Sequence, residues 1–99
     1  MDITKTLAGG KIRFALAGRL DTATAPQLQE ALIPAFDEAK HVELDFAGLE
    51  YVSSAGLRVL LLGEKTAKSK DAVMSLVSVS REIREVFEMT GFSDILKIV

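Results

Sequence analysis

Residues 44–61 read LDFAGLEYVSSAGLRVLL, and this stretch joins a predicted strand to a predicted helix. Its first part alternates apolar and polar residues, which is the two-residue period of a strand with one buried face. We expect the strand to end at Ala47-Gly48. The apolar run that follows the two serines predicts a helix that continues to about Ser69.

Ser53 and Ser54 stand at the junction between strand and helix, and two interpretations of them are open. Either hydroxyl is suited to cap the helix by accepting a hydrogen bond from a backbone amide of the first turn. The alternative is an anion site, because no Asp or Glu occurs between Ser53 and Gly63. Carboxylates usually collect near a helix N-terminus, so this helix start is left free for another negative group.

A helical wheel at about 100° per residue predicts which side of this helix faces solvent. Arg58, Lys65 and Lys68 share one side, which we expect to face water. Leu57 and Leu61 fall among these charges, and we expect them to form a small exposed apolar spot for a partner protein rather than to fold back onto the core. The opposite side, expected to be buried, comprises Ala55, Val59, Leu62, Gly63 and Thr66.

The remaining segments give the order strand, strand, helix, strand, helix, strand, helix, strand. The first two strands (3–7 and 12–16) form a hairpin across a glycine turn, and Thr22 or Thr24 is expected to cap the first helix. Pro34 predicts a kink or an early end of that helix. A strand at 72–79, a helix between Ser80 and Gly91 and a last strand at 95–99 complete the chain. Strands alternating with helices predict an α/β fold with a largely parallel sheet, in one domain over residues 1–99.

Composition excludes several functional classes. The 99 residues carry a net charge of −2 and no cysteine, so we expect no nucleic-acid surface and no disulfide. No apolar run is long enough to cross a bilayer and the N-terminus lacks a signal-peptide core, which favours a cytoplasmic protein. No His or carboxylate cluster suggests a metal, and no cofactor motif is present.

An enzyme is not expected either. Ser54 lacks the Gly-x-Ser-x-Gly elbow of a serine hydrolase, because Val52 occupies the position of the first glycine. His41 is the only histidine, and it would have to cross the domain to reach Ser54 in a catalytic triad.

The 44–61 stretch resembles the central signature of STAS domains, the fold of bacterial anti-sigma-factor antagonists. In those proteins a strand is followed by a serine, a small residue and Gly-Leu at the start of a helix. LAGRLDTATAPQL at 16–28 is similar to their Gly-x-Leu-Asp turn, and REIREVFEMTGFSDILKI at 81–98 is similar to their closing helix and strand. The resemblance covers nearly the whole chain and implies helices packed mainly on one face of the sheet.

This resemblance implies partner switching in the control of transcription. The unmodified protein would bind an anti-sigma factor with serine kinase activity and free a sigma factor. Phosphorylation of Ser54 would release the complex, and a PP2C-type phosphatase would reverse it. The partner-binding residues expected from the resemblance and the helix interpretation are Asp21, Thr22, Ser53, Gly56, Leu57, Arg58 and Leu61.

Two positions depart from the family pattern. Many antagonists have Asp directly before the phosphorylated serine, where this chain has Ser53, and Ser or Thr after it, where this chain has Ala55. Ser53 is therefore an alternate acceptor, and a non-switching STAS scaffold or adaptor in a signalling or lipid-transport complex is the alternative function.

Overall fold

The computed structural model describes residues 1–99, and its element order is the one that the sequence predicts. A 3₁₀ turn at Phe92–Asp94 separates the last helix from the last strand. The strands and helices are β1 (Asp2–Ala8), β2 (Lys11–Leu20), α1 (Ala25–Ala35), β3 (His41–Val52), α2 (Ser54–Ser69), β4 (Val73–Val77), α3 (Arg81–Thr90) and β5 (Lys97–Ile98).

The five strands form one mixed sheet in the order β1-β2-β3-β4-β5. β1 is antiparallel to β2, and every other neighbouring pair is parallel, which confirms the predicted hairpin and parallel sheet. Each helix connects adjacent parallel strands in the same direction along the sheet. Right-handed crossovers therefore place all three helices on one face, as expected. Buried side chains from facing positions of β2, β3 and β4 meet the helices there, among them Phe14, Leu44 and Leu76.

The other face of the sheet is largely polar, and several of its charges are paired. Glu43 on β3 accepts contacts from Lys11 Nζ at 2.9 Å and Arg13 Nε at 3.2 Å, while Arg13 also reaches Asp45 at 3.0 Å. His41 Nε2 lies 2.8 Å from Ser75 Oγ, at the end of β3 far from Ser54. No helix covers this face, so its alternating polar residues explain the two-residue period of the strands.

β3 is longer than the sequence predicts, so the expected end at Ala47-Gly48 is wrong. Two register shifts against β2 let the strand continue to Val52. Each shift places one extra β3 residue opposite β2, which bends the strand without ending it. A Cβ on Gly48 would lie 3.0 Å from the carbonyl oxygen of Leu16, so glycine permits the close approach of the two strands.

The predicted ends of the helices are largely confirmed. α1 ends at Ala35, directly after Pro34. The Ser80 hydroxyl accepts from the amide of Ile83 at the start of α3, and Gly91 ends that helix with φ of 80°, a left-handed conformation that glycine adopts without strain. β4 and β5 are shorter than predicted, and the 3₁₀ turn at Phe92–Asp94 lies just before the segment expected to form the last strand.

Candidate functional site

Ser53 is the residue that caps α2. Its hydroxyl accepts a hydrogen bond from the amide of Gly56 at 3.3 Å, and its backbone is extended, as at a typical N-cap. Its own amide donates to the carbonyl oxygen of Leu20 at 2.8 Å. The hydroxyl and the amide of this half-buried residue therefore join the end of β2 to the start of α2.

Ser54 is the first residue of α2, and its side chain is free. The residue is exposed and its hydroxyl makes no hydrogen bond within the chain. No acidic residue occurs in the first turn of the helix. The two serines thus have different environments, although the sequence alone left the cap and the exposed hydroxyl unassigned.

Asp21 organises the loop that leads from β2 into α1. Its Oδ1 accepts hydrogen bonds from the amides of Ala23 and Thr24 at 3.0 and 3.1 Å and from the Thr24 hydroxyl at 3.2 Å. The Thr24 hydroxyl also donates to the carbonyl oxygen of Arg19 at 2.7 Å. Neither Thr22 nor Thr24 caps α1 through its hydroxyl, so that prediction is wrong. The Asp21 carboxylate instead accepts from the two amides just before α1, as Asp often does in a tight turn, and the Asp21 carbonyl oxygen accepts from the amide of Ala25 at 2.8 Å.

The same loop lowers the pKa of the Asp21 carboxyl below its ordinary value of 3.8. The main cause is the backbone hydrogen bond from Thr24. Desolvation acts in the opposite direction, and the Thr24 hydroxyl, the Ala23 amide and the charge of Arg19 lower the pKa further. Asp21 therefore carries a negative charge at neutral pH. This charge lies close to the two serines, because Asp21 directly follows Leu20, whose carbonyl oxygen accepts from the Ser53 amide.

Arg19 and Tyr51 form a pair beside this loop that the sequence did not indicate as part of the site. The Arg19 guanidinium lies 4.2 Å from the centroid of the Tyr51 ring, and Arg19 Nε lies 3.7 Å from Asp21 Oδ2. Tyr51 is 42% exposed. The two residues are opposite each other on β2 and β3 only because of the register shifts. An exposed Arg and Tyr next to Ser53 are residue types that often contribute strongly to binding.

Gly56 lies in the first turn of α2, on the side of the helix that packs against the end of β2. A Cβ at this position would lie 2.7 Å from Leu20 Cγ and 3.0 Å from the Leu20 carbonyl oxygen. Gly56 is buried, and its lack of a side chain lets the helix pack against Leu20, while its expected part in partner binding stays a prediction.

The leucines of α2 do not lie where the wheel placed them. Leu57 is 8% exposed and belongs to the core, so the expected exposed spot is wrong for Leu57, and Leu61 is half-buried. Leu62, expected in the core, is 39% exposed. The buried side of α2 includes Leu60 and Ala67 and is rotated about a quarter-turn from the prediction. The exposed side carries the predicted charges Arg58, Lys65 and Lys68 together with Ser54 and Leu62.

A groove runs between α1 and α2, and its α2 wall begins at Ala55, the residue after Ser54. Its volume is about 320 Å³, and half of its lining is hydrophobic. Arg58 is its only charged residue. The lining comprises Thr22, Ala25, Pro26 and Gln29 from the α1 side and Ala55, Arg58, Val59 and Leu62 from α2.

Within this structure no three His, Asp or Glu side chains are grouped so that they could hold a metal ion. None of its helices is both long and apolar enough to cross a membrane.

A mixed sheet with three helices on one face, and an exposed serine where the central helix begins, define a class of small α/β domain. The sequence model of that class described as "Mlab, STAS domain" matches residues 3–98. The chain belongs to the STAS domain family.

Several relatives of this chain are described as anti-sigma factor antagonists. BtrV of Bordetella bronchiseptica, described as a candidate antagonist, is 35% identical over 99% of this chain and 85% of its own length. The anti-sigma-B factor antagonist of Listeria monocytogenes is 32% identical over 84% of this chain and 74% of its own.

The anti-sigma factor antagonist SpoIIAA of Bacillus has the same fold in two solved states. Its unphosphorylated form aligns with a TM-score of 0.79 at 16% identity, covering 99% of this chain and 87% of SpoIIAA. Its phosphorylated form aligns with a TM-score of 0.78 at 17% identity, covering 99% and 91%.

Proposed function

We propose that this protein is an anti-sigma-factor antagonist that acts by partner switching, with Ser54 as the phosphorylated residue. The exposed, unbonded hydroxyl of Ser54 at the start of α2 carries the proposal. Membership of the STAS family and relatives described as antagonists support the role, and the existence of a phosphorylated form of SpoIIAA, which has a similar fold, supports phosphorylation as the modification.

The difference between the two serines supports Ser54, rather than Ser53, as the acceptor of the phosphoryl group. Ser53 Oγ is held by the amide of Gly56, and its modification would remove the cap of α2. Ser54 Oγ has no such bond and is open to a kinase active site. Asp in place of Ser53, as in many antagonists, would supply a similar cap, since Asp and Ser are both preferred at this position. The departure at residue 53 is therefore compatible with phosphorylation at Ser54.

The transfer step uses ATP bound to the partner kinase. Ser54 Oγ attacks the γ-phosphorus and forms a new O–P bond, while the bond between that phosphorus and the oxygen bridging to the β-phosphate breaks. ADP leaves, and the hydroxyl proton passes to a base of the kinase. A PP2C-type phosphatase reverses the modification by hydrolysis: a water oxygen bonds to phosphorus, the bond between Ser54 Oγ and phosphorus breaks, Oγ takes a proton, and inorganic phosphate leaves.

A phosphate at residue 54 is tolerated by the fold but not by the complex. Phosphoserine carries about −1.5 to −2 charges at pH 7. The acid-free first turn of α2 stabilises such a charge by about 0.3–1 kcal/mol. In an interface the same dianion loses its hydration at a cost of several kcal/mol unless it is paired. Each loss of about 1.4 kcal/mol of binding free energy weakens the affinity tenfold. A loss of two or three times this amount is sufficient to release the partner.

The experiment incubates the protein with each kinase-type anti-sigma factor encoded in the same genome, produced recombinantly, together with Mg²⁺ and ATP. Mass mapping then locates the phosphate. We expect modification at Ser54, lost in Ser54→Ala and retained in the matched variant Ser53→Ala. Phosphate found only on Ser53 would contradict the residue assignment. Absence of transfer from every such kinase would favour the non-switching scaffold.

A further inference from the structure

The groove between α1 and α2 has one charged side chain, and that side chain has no partner. Arg58 is exposed and takes part in none of the ion pairs of the chain, whereas Arg13, Arg19 and Arg81 each contact a carboxylate. It makes no hydrogen bond to another side chain or to the backbone. The walls beside it are Ala55, Val59 and Leu62 on α2. The opposite wall combines apolar and uncharged polar residues of α1 and the loop before it.

Arg58 also lies one helical turn after Ser54. Residues four apart on a helix are neighbours on its surface, with Cβ atoms about 5–6 Å apart. The long arginine side chain therefore reaches a group attached to Ser54 Oγ without any movement of the backbone. No acidic residue in the first turn of α2 competes for the guanidinium.

We propose that Arg58 binds two anions in turn: a carboxylate of the anti-sigma partner when Ser54 is unmodified, and the phosphate of Ser54 when it is modified. This inference rests on the proposed function and deepens it. In the first state the groove holds an apolar side chain of the partner while Arg58 pairs with an acidic residue about one helical turn away from it. In the second state Arg58 pairs with the phosphate of Ser54, and its ion pair with the partner is lost.

Charge complementarity identifies the occupant of the groove. The groove has a single cation among apolar and neutral residues, so it is complementary to a partner segment with one acidic residue beside apolar ones. A basic segment or a uniformly apolar segment would leave the charge of Arg58 unpaired. The planar guanidinium binds a carboxylate or a phosphate through two parallel hydrogen bonds, so the same residue serves either anion. Asp21, on the loop before α1, is negatively charged and would repel either anion.

The phosphate half of the inference is tested without any partner. The protein is made with phosphoserine at residue 54, and the second ionisation of the phosphate is followed by phosphorus NMR between pH 4 and 9. We expect its pKa to be about half a pH unit lower in the native sequence than in Arg58→Ala, as for an exposed ion pair. Arg84→Ala is the matched control, because Arg84 is also exposed and unpaired but lies on α3. Equal pKa values in the native sequence and Arg58→Ala would overturn the inference.

The partner half is tested by a thermodynamic cycle with the recombinant kinase that modifies the protein, using a nucleotide analogue that cannot transfer its phosphate. Unmodified Arg58→Ala should bind about tenfold more weakly than the native sequence, while Arg84→Ala should bind equally well. Phosphorylation should then weaken Arg58→Ala by a smaller factor than it weakens the native protein.

Failure of this inference differs from failure of the proposed function. If phosphorylation weakens the native protein and Arg58→Ala by the same factor, Arg58 has no part in the switch, although the switch itself stands. If phosphorylation leaves the affinity of the native protein unchanged, the proposed function fails and the two-anion role of Arg58 fails with it.

Discussion

The amide of Ser53 donates to the carbonyl oxygen of Leu20 at 2.8 Å, and this bond places the start of α2 beside the end of β2. Asp21 follows Leu20 directly, so the loop that it organises lies next to the two serines. Gly56 strengthens the same junction, since only a residue without Cβ lets α2 approach Leu20 so closely. The candidate site is therefore built from residues that are more than thirty positions apart in the chain but adjacent in the sheet.

Removing the Ser53 hydroxyl should destabilise the protein, whereas removing the Ser54 hydroxyl should not. Ser53→Ala deletes the acceptor for the Gly56 amide, which is expected to cost about 1 kcal/mol of the free energy of unfolding. Ser54→Ala deletes an exposed group with no hydrogen bond. Urea denaturation of both variants measures the difference. Equal losses in the two variants would show that Ser53 is not the cap.

Regular elements could be predicted because local patterns determine them. The two-residue period of β2 and β3, the cap at Ser80 and the left-handed Gly91 all depend on residues within one or two turns of each other. The identity of the α2 cap could not be predicted, because it depends on β3 continuing to Val52 and on the contact with Leu20. That continuation arises from register shifts between two strands, which leave no signal in a single segment.

The face of α2 was misplaced for a different reason. Apolar residues occupy almost every position from Leu57 to Gly63 except Arg58, so several wheel orientations bury a similar amount of apolar surface. The sheet and α1 select one of them by contacting the helix from two sides. For the same reason the Arg19–Tyr51 pair and the groove with Arg58 were visible only once the strands and helices were assembled.

Gly56→Ala should destabilise the protein by overpacking. The added methyl would lie 2.7 Å from Leu20 Cγ and 3.0 Å from the Leu20 backbone oxygen, and only the first of these atoms is able to move easily. Overpacking of this kind costs about 1–3 kcal/mol. Lys65→Ala, at an exposed position of the same helix, is the control and should be close to neutral. A thermal or urea midpoint for Gly56→Ala equal to that of the control would mean that the junction relaxes freely.

Asp21 should make stability depend on pH in the acid range. Its folded pKa lies below the ordinary value of 3.8, mainly through the Thr24 amide, so the unfolded chain binds the proton more readily than the folded one. The carboxylate therefore contributes its stabilisation above the unfolded pKa and loses it as the pH falls through the folded pKa. Urea midpoints measured from pH 6 down to pH 2 should fall more steeply for the native protein than for Asp21→Asn. Parallel curves for the two proteins would show that Asp21 does not contribute to the dependence of stability on pH.

Leu57 and Leu62 should separate folding from binding. Leu57 is 8% exposed and packs in the core, so Leu57→Ala is expected to cost about 2–5 kcal/mol of unfolding free energy. Leu62 is 39% exposed in the α1–α2 groove, so Leu62→Ala should cost less than about 1 kcal/mol of stability, because much of the side chain already contacts water. If the groove holds an apolar side chain of the kinase-type anti-sigma factor, Leu62→Ala should nevertheless weaken that complex by about tenfold or more, as judged by calorimetry. A Leu62→Ala variant that binds like the native protein would show that the partner does not use this groove, whatever the state of Ser54.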